Sequence, residues 1–111
     1  MVKPIHSISI GLVALVLATP AIGYFQIEGE IEMPPAQFDH LPTTNFEVSF
    51  WPGDDINYLC DTSSALIEQG YTQVACTDHI ERKVYIRDDI SPEQLPLVIR
   101  HEFGHLNGWR H

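Results

Sequence analysis

The chain is expected to fold as an α+β domain: a small twisted sheet of about three strands, one helix packed on it, and a second helix near the C-terminus. Three observations predict this. Phe46, Val48 and Phe50 alternate with Glu47 and Ser49, the period of a half-buried strand. Ile56, Leu59, Cys60, Ser63, Leu66 and Ile67 share one helical stripe, with Asp54 or Asp55 to cap it and Gly70 to stop it. Two further strand-like runs, Tyr71 to Cys76 and Arg82 to Arg87, precede a helix clothed by Val98, Ile99, Phe103 and Leu106.

Taken in order, residues 1–23 read as a signal peptide. Lys3 is followed by the uncharged run Ile8 to Ala18, too short to span a bilayer comfortably, and Thr19 to Gly23 offers small residues for cleavage after Ala21 or Gly23. Residues 24–45 form an irregular arm, because Pro34, Pro35 and Pro42 interrupt it and it shows little periodicity. His40, beside Asp39, is read as an ordinary loop histidine rather than a metal ligand.

Residues 46–111 are the folded domain. Trp51, Pro52 and Gly53 close its first strand, and the helical stripe that follows is assigned to the core. In the last strand, Val84 and Ile86 face one side while Lys83, Tyr85 and Arg87 face the other. The polar connection before it carries Asp78 and His79. Ser91, Pro92 and Gln94 form a capping sequence, and Pro96 leaves two options: a helix that bends in its first turns, or a short turn over residues 91–95 with the helix starting at Pro96.

Cys60 and Cys76 are the two cysteines, most simply a disulfide, since their spacing lacks the close pairing of a zinc ribbon or redox site. The chain carries 15 acidic and 6 basic residues, a formal charge of -9. Such a surface repels nucleic acid and anionic lipid, so neither is an expected partner. Signal peptide, disulfide and acidity together point to a secreted or periplasmic location.

The richest stretch is His101 to His111. On a helix, His101 and His105 project from one face a turn apart, close enough to share a small cation. Glu102 stands beside them as the candidate base for a zinc-bound water. Gly108 falls where a helix can end in the left-handed conformation, and the turn can bring His111 back to the same ion. Trp109 is expected beneath that turn as a lid or core residue, with a partial role as floor to the site. Zinc deaminases are excluded, for the chain has no His-x-Glu with a Pro-Cys-x-x-Cys partner.

From His101 to His111 the chain resembles the metzincin zinc endopeptidases at every defined position of their long signature, His-Glu-x-x-His-x-x-Gly-x-x-His. The resemblance implies a zinc metallopeptidase, with His101, His105 and His111 holding Zn2+, Glu102 as general base, and a peptide or protein as substrate. It implies that an extended peptide pairs with an edge strand of the sheet, here Ala75 to Thr77 or Val84 to Ile86. The methionine turn of that family has no counterpart, as Met1 and Met33 both lie upstream. Two alternatives follow: a catalytically inactive, zinc-stabilised binding or inhibitory module, or a catalytic half that needs a partner chain to supply the missing lower subdomain.

Overall fold

A computed structural model describes residues 6–7, 23–61, 63–70 and 72–111. Apart from His6, Ser7 and Gly23, the expected signal peptide lies outside the described residues. The elements are β1 (His6–Ser7), β2 (Glu47–Trp51), α1 (Gly53–Leu59), α2 (Ser64–Glu68), β3 (Ala75–Asp78), β4 (Lys83–Arg87) and α3 (Leu95–Leu106), with a 3-10 turn at Ala36–Phe38. The sheet order is β1-β2-β4-β3. The β1 segment is a two-residue antiparallel edge, and the other three strands form a mixed sheet with β2 parallel to β4 and β3 antiparallel to it. The α+β expectation therefore holds.

Strand alternation builds two covered faces. Val48 and Phe50 of β2 and Val84 and Ile86 of β4 join Ala75, Ile90, Leu95, Val98, Ile99 and Leu106 in one core, which packs α3 against the sheet. On β2 the intervening residues Ser49 and Trp51 are just as buried. The Trp51 indole N–H donates to the Ser49 hydroxyl at 2.9 Å, so these two buried polar groups satisfy each other. Trp51 is the last residue of the strand, which closes before Pro52 and Gly53 as expected, and it meets Tyr85 of β4 edge-on. The strand is buried on both faces rather than half-buried.

The single helix expected after β2 is two short ones. Asp61 takes a φ of 55° after α1, and the Ser63 hydroxyl accepts from the Leu66 N–H to cap α2. A serine that bonds the backbone in this way competes with a continuing helix, which is why the stripe breaks there. Only Ile56 of that stripe is fully buried, and Leu66 and Ile67 are exposed at 42% and 43%. The assignment of the whole stripe to the core is corrected accordingly. The third strand begins at Ala75 rather than Tyr71, because the Gln73 N–H is taken by the Asn57 side chain and not by the sheet.

Of the two openings for the last helix, the second is found. Gln94 and Leu95 N–H groups both donate to the Ser91 carbonyl in a turn, and α3 follows with Pro96 in its first positions, where a missing N–H costs nothing. Gln94 also secures the arm. Its amide accepts from the Ile27 N–H and donates to the Ile27 carbonyl, both at 2.9 Å. Arg87 adds an ion pair with Asp89 and lies over the Phe25 ring at 3.9 Å.

The Cys60–Cys76 disulfide is present, with Cα atoms 5.8 Å apart and a sequence separation of 16. It ties the end of α1 to the edge strand β3. Replacing both cysteines by serine should lower stability by about 3 kcal/mol, the loop-closure entropy returned to the unfolded chain. Urea unfolding of the two proteins under non-reducing conditions measures the difference.

Candidate metal centre

The C-terminal end of α3 is a Schellman motif. Gly108 has φ of 110°, the Gly108 N–H donates to the His105 carbonyl, and the Trp109 N–H reaches back to the Gly104 carbonyl, both at 3.0 Å. This turn reverses the chain under the last helical turn. It brings His111 to the two helix histidines.

The imidazole Nε2 atoms of His101 and His105 lie 3.1 Å apart, and those of His105 and His111 3.0 Å apart. All three ligand atoms fall within 4.8 Å of one another. The other ring nitrogens of His101 and His105 are occupied. His105 Nδ1 is 2.8 Å from the Trp109 carbonyl oxygen and His101 Nδ1 is 2.6 Å from the Glu32 carbonyl oxygen. A carbonyl only accepts, so both Nδ1 atoms carry the proton, and in the neutral rings both Nε2 atoms present lone pairs. In that tautomer pair two lone pairs would face each other across 3.1 Å. A cation at the focus relieves that repulsion, and tetrahedral zinc–imidazole bonds would set a nitrogen spacing of roughly 3.3 Å. The donor set fits such an ion. The backbone carbonyls behind it fix tautomer and ring direction, as outer partners do in metal sites. Burial pulls the His105 pKa down, favouring the neutral form a metal ligand needs.

Glu102 is buried one residue along the helix, at 6% exposure. Its Oε1 accepts from the Thr77 hydroxyl of β3 at 2.8 Å, and its Oε2 is 4.0 Å from His101 Nε2. Burial raises its pKa, while the Thr77 hydrogen bond and the neighbouring His101 pull it down. The carboxylate is aimed at the histidine focus without being among the three clustered ligands.

Trp109 is the floor. Its ring stacks on His105 at 4.7 Å with planes 10° apart, meets His101 edge-on at 4.9 Å, and is tilted against His111 at 5.2 Å. Above the histidines lies an open cavity of about 320 Å³ lined by Thr77, His79, Glu102 and Arg110 together with the triad. His79, in the β3–β4 turn, comes within 6.4 Å of the His105 ring, and burial lowers its pKa. His40 is elsewhere: its ring faces the Leu41 carbonyl, and its own carbonyl accepts from Asn107.

The structure brings together His101, His105, His111 and Glu102, and places Cys60 and Cys76 in their disulfide. Sequence reasoning missed Thr77 as the partner of Glu102 and the Glu32 carbonyl as the partner of His101. No spacing signal marks either. Comparison with protein-family models, with curated proteins and with solved structures finds no match.

Gly104 sits where the arm crosses α3. A Cβ there would meet Pro34 Cγ at 2.5 Å and Trp109 Cε3 at 3.0 Å. Gly104→Ala should therefore destabilise the domain by about 1–3 kcal/mol through overpacking, despite alanine's better helix propensity. Thermal unfolding together with quenching of Trp109 fluorescence checks it: a stabilised variant with unchanged fluorescence contradicts the packing described here.

Proposed function

We propose that this protein is a zinc metallopeptidase of the metzincin kind, exported to an oxidising compartment, with a peptide or protein as substrate. The observation that carries the reading is the pair of Nε2 atoms 3.1 Å apart, with His111 brought alongside by the Schellman turn and a buried carboxylate beside them. His101, His105 and His111 would hold the ion. A zinc ion bound there supplies a Lewis acid that acidifies water and polarises a carbonyl. Glu102 takes the proton of the attacking water and later delivers it to the leaving amine. Thr77 holds the carboxylate in place for both transfers. The disulfide supports export, and among the described residues no helix is long and apolar enough to cross a membrane.

The sheet order distinguishes the two candidate rims. β4 is paired on both sides, whereas among the described residues β3 pairs with β4 alone, which makes Ala75–Asp78 an edge strand, with the Ala75 carbonyl already accepting from the Gln73 side chain. It also runs past Glu102 through Thr77. An extended peptide added to β3 would lay its carbonyls along the histidine focus.

Zinc-dependent cleavage of a mixed peptide library by the oxidised protein, with Glu102→Ala as control, tests the reading. Glu102→Ala should keep one zinc and lose hydrolysis by two or more orders of magnitude, roughly what general base catalysis contributes. Equal cleavage by the two proteins rejects the mechanism, and zinc binding by both with no cleavage by either replaces it with a zinc-stabilised binding module. His111→Ala should lose zinc affinity on its own, read by chelator competition.

Thr77→Val removes the hydrogen bond that favours ionised Glu102, so the carboxyl pKa rises further. The base works only when ionised. The acid limb of kcat/KM against pH should therefore move to higher pH, with activity near the alkaline end least affected.

A further inference from the structure

The 6 lysines and arginines of this chain face 15 aspartates and glutamates, so composition alone leads one to expect every cation to have a carboxylate partner. Lys83 pairs with Glu81, Arg87 with Asp89 and Arg100 with Asp39. Arg82 is committed to the backbone, donating to the Asn45 carbonyl and to the Leu106 carbonyl at the end of α3. Lys3 lies outside the described residues. That leaves Arg110. Among the described residues its guanidinium donates from Nη1 to the Trp109 carbonyl oxygen at 3.2 Å and meets no carboxylate.

Its place is the wall of the open cavity. Arg110 lines the space of about 320 Å³ together with the triad, Glu102, Thr77 and His79. The Trp109 carbonyl that holds its Nη1 also accepts the Nδ1 proton of His105, so the guanidinium is tethered to the turn that builds the site. Its charge acts within the cavity: burial, and then the positive charge of Arg110, pull the His79 pKa down. Arg110 is exposed, and its remaining donors have no partner among the described residues. Glu102, the carboxylate among the lining residues, is turned instead to Thr77 and the histidine focus.

We propose that Arg110 anchors a carboxylate of the substrate, so that this acidic protein draws negatively charged peptides into its reaction cavity. The inference rests on the function proposed above and names the substrate class of that site. A surface with a formal charge of -9 repels an acidic peptide at long range, where salt screens the repulsion. Inside the cavity the nearest charges decide. There a guanidinium offers a fork of donors that matches the two oxygens of a carboxylate. The same cation repels lysine and arginine side chains, which the rest of the surface would otherwise attract. Two sources present this chemistry, the free C-terminus of a short peptide and the side chain of an aspartate or glutamate.

The test uses binding as well as turnover. Three short alanine-based peptides carry the same neutral N-terminal dye: one ends in a carboxamide, one in a free carboxylate, and one is amidated but has a central aspartate. Their binding to zinc-loaded Glu102→Ala protein, which should hold them uncut, is read by fluorescence anisotropy at low and at physiological salt. A carboxylate-bearing peptide should bind about fivefold tighter than the neutral one at low salt, the scale of one partly exposed charge-assisted contact, and the gap should narrow as salt is added. An advantage for the free end alone assigns Arg110 to chain termini, and one for the aspartate peptide alone assigns it to acidic side chains. Adding Arg110→Gln should bring the ratio to about one. Equal binding of all three peptides with Arg110 intact overturns the proposal, whatever the variant does. A carboxylate advantage that persists in folded Arg110→Gln protein overturns it too, by assigning the attraction to the bound metal. Cleavage of library peptides without any Arg110-dependent preference removes this inference and leaves the peptidase. An Arg110-dependent preference without cleavage of any peptide removes the hydrolysis and leaves the anchor.

Discussion

The Trp109 carbonyl oxygen accepts the Nδ1 proton of His105, and the Schellman ending of α3 holds that carbonyl in place. Much of the site follows from this one contact. With Nδ1 protonated, the His105 Nε2 must offer a lone pair toward His101. The same reversal sets the Trp109 ring flat beneath His105 and carries His111 to within 3.0 Å of it. The turn in turn depends on Gly108, whose φ of 110° would strain any residue with a Cβ. Backbone geometry at one helix end thus fixes a tautomer, a floor and a third imidazole.

The arm supplies the matching constraint on His101 through the Glu32 carbonyl. It reaches that position because Gln94 clamps Ile27, Phe25 bridges to Ile90 with its N–H on the Asp89 carbonyl, and Pro34 lies against the bare face of Gly104. An extended segment that makes few sheet hydrogen bonds is held by a series of point contacts instead. Farther along, Asp39 pairs with Arg100 and the Asn107 amide donates to the Phe38 and His40 carbonyls, binding the 3-10 turn to α3. Irregular in backbone, the arm is integral in packing.

Residues whose role depends on local chain geometry were readable from the sequence. The helix face shared by His101 and His105, the glycine stop and the return of His111 all follow from helical spacing and left-handed propensity, and the alternation of Val84 and Ile86 reports a buried strand face. The closing of the disulfide agreed with simple cysteine arithmetic. What escaped were contacts between distant segments. Thr77 and Glu102 are 25 positions apart and Glu32 and His101 are 69 apart, and a carbonyl has no sequence signature at all. The split of the expected long helix was hidden for a different reason: its apolar stripe is real as a pattern, but Ser63 spends its hydroxyl on a cap, and Leu66 and Ile67 then face outward.

A metal at this focus would act on stability as much as on chemistry. The three imidazoles come from two places that only the turn after α3 unites, and His101 is additionally tethered to the arm. An ion that binds them together binds the folded chain and not the unfolded one, so its affinity adds to the folding free energy. Glu102 pulls the other way. A carboxylate at 6% exposure is costly to ionise, and the Thr77 hydroxyl offsets only part of that desolvation. A positive ion a few ångströms away offsets more. A cation at the focus would answer both the facing His101 and His105 nitrogens and the buried Glu102 charge, so one ion would satisfy three groups drawn together by the helix and its turn.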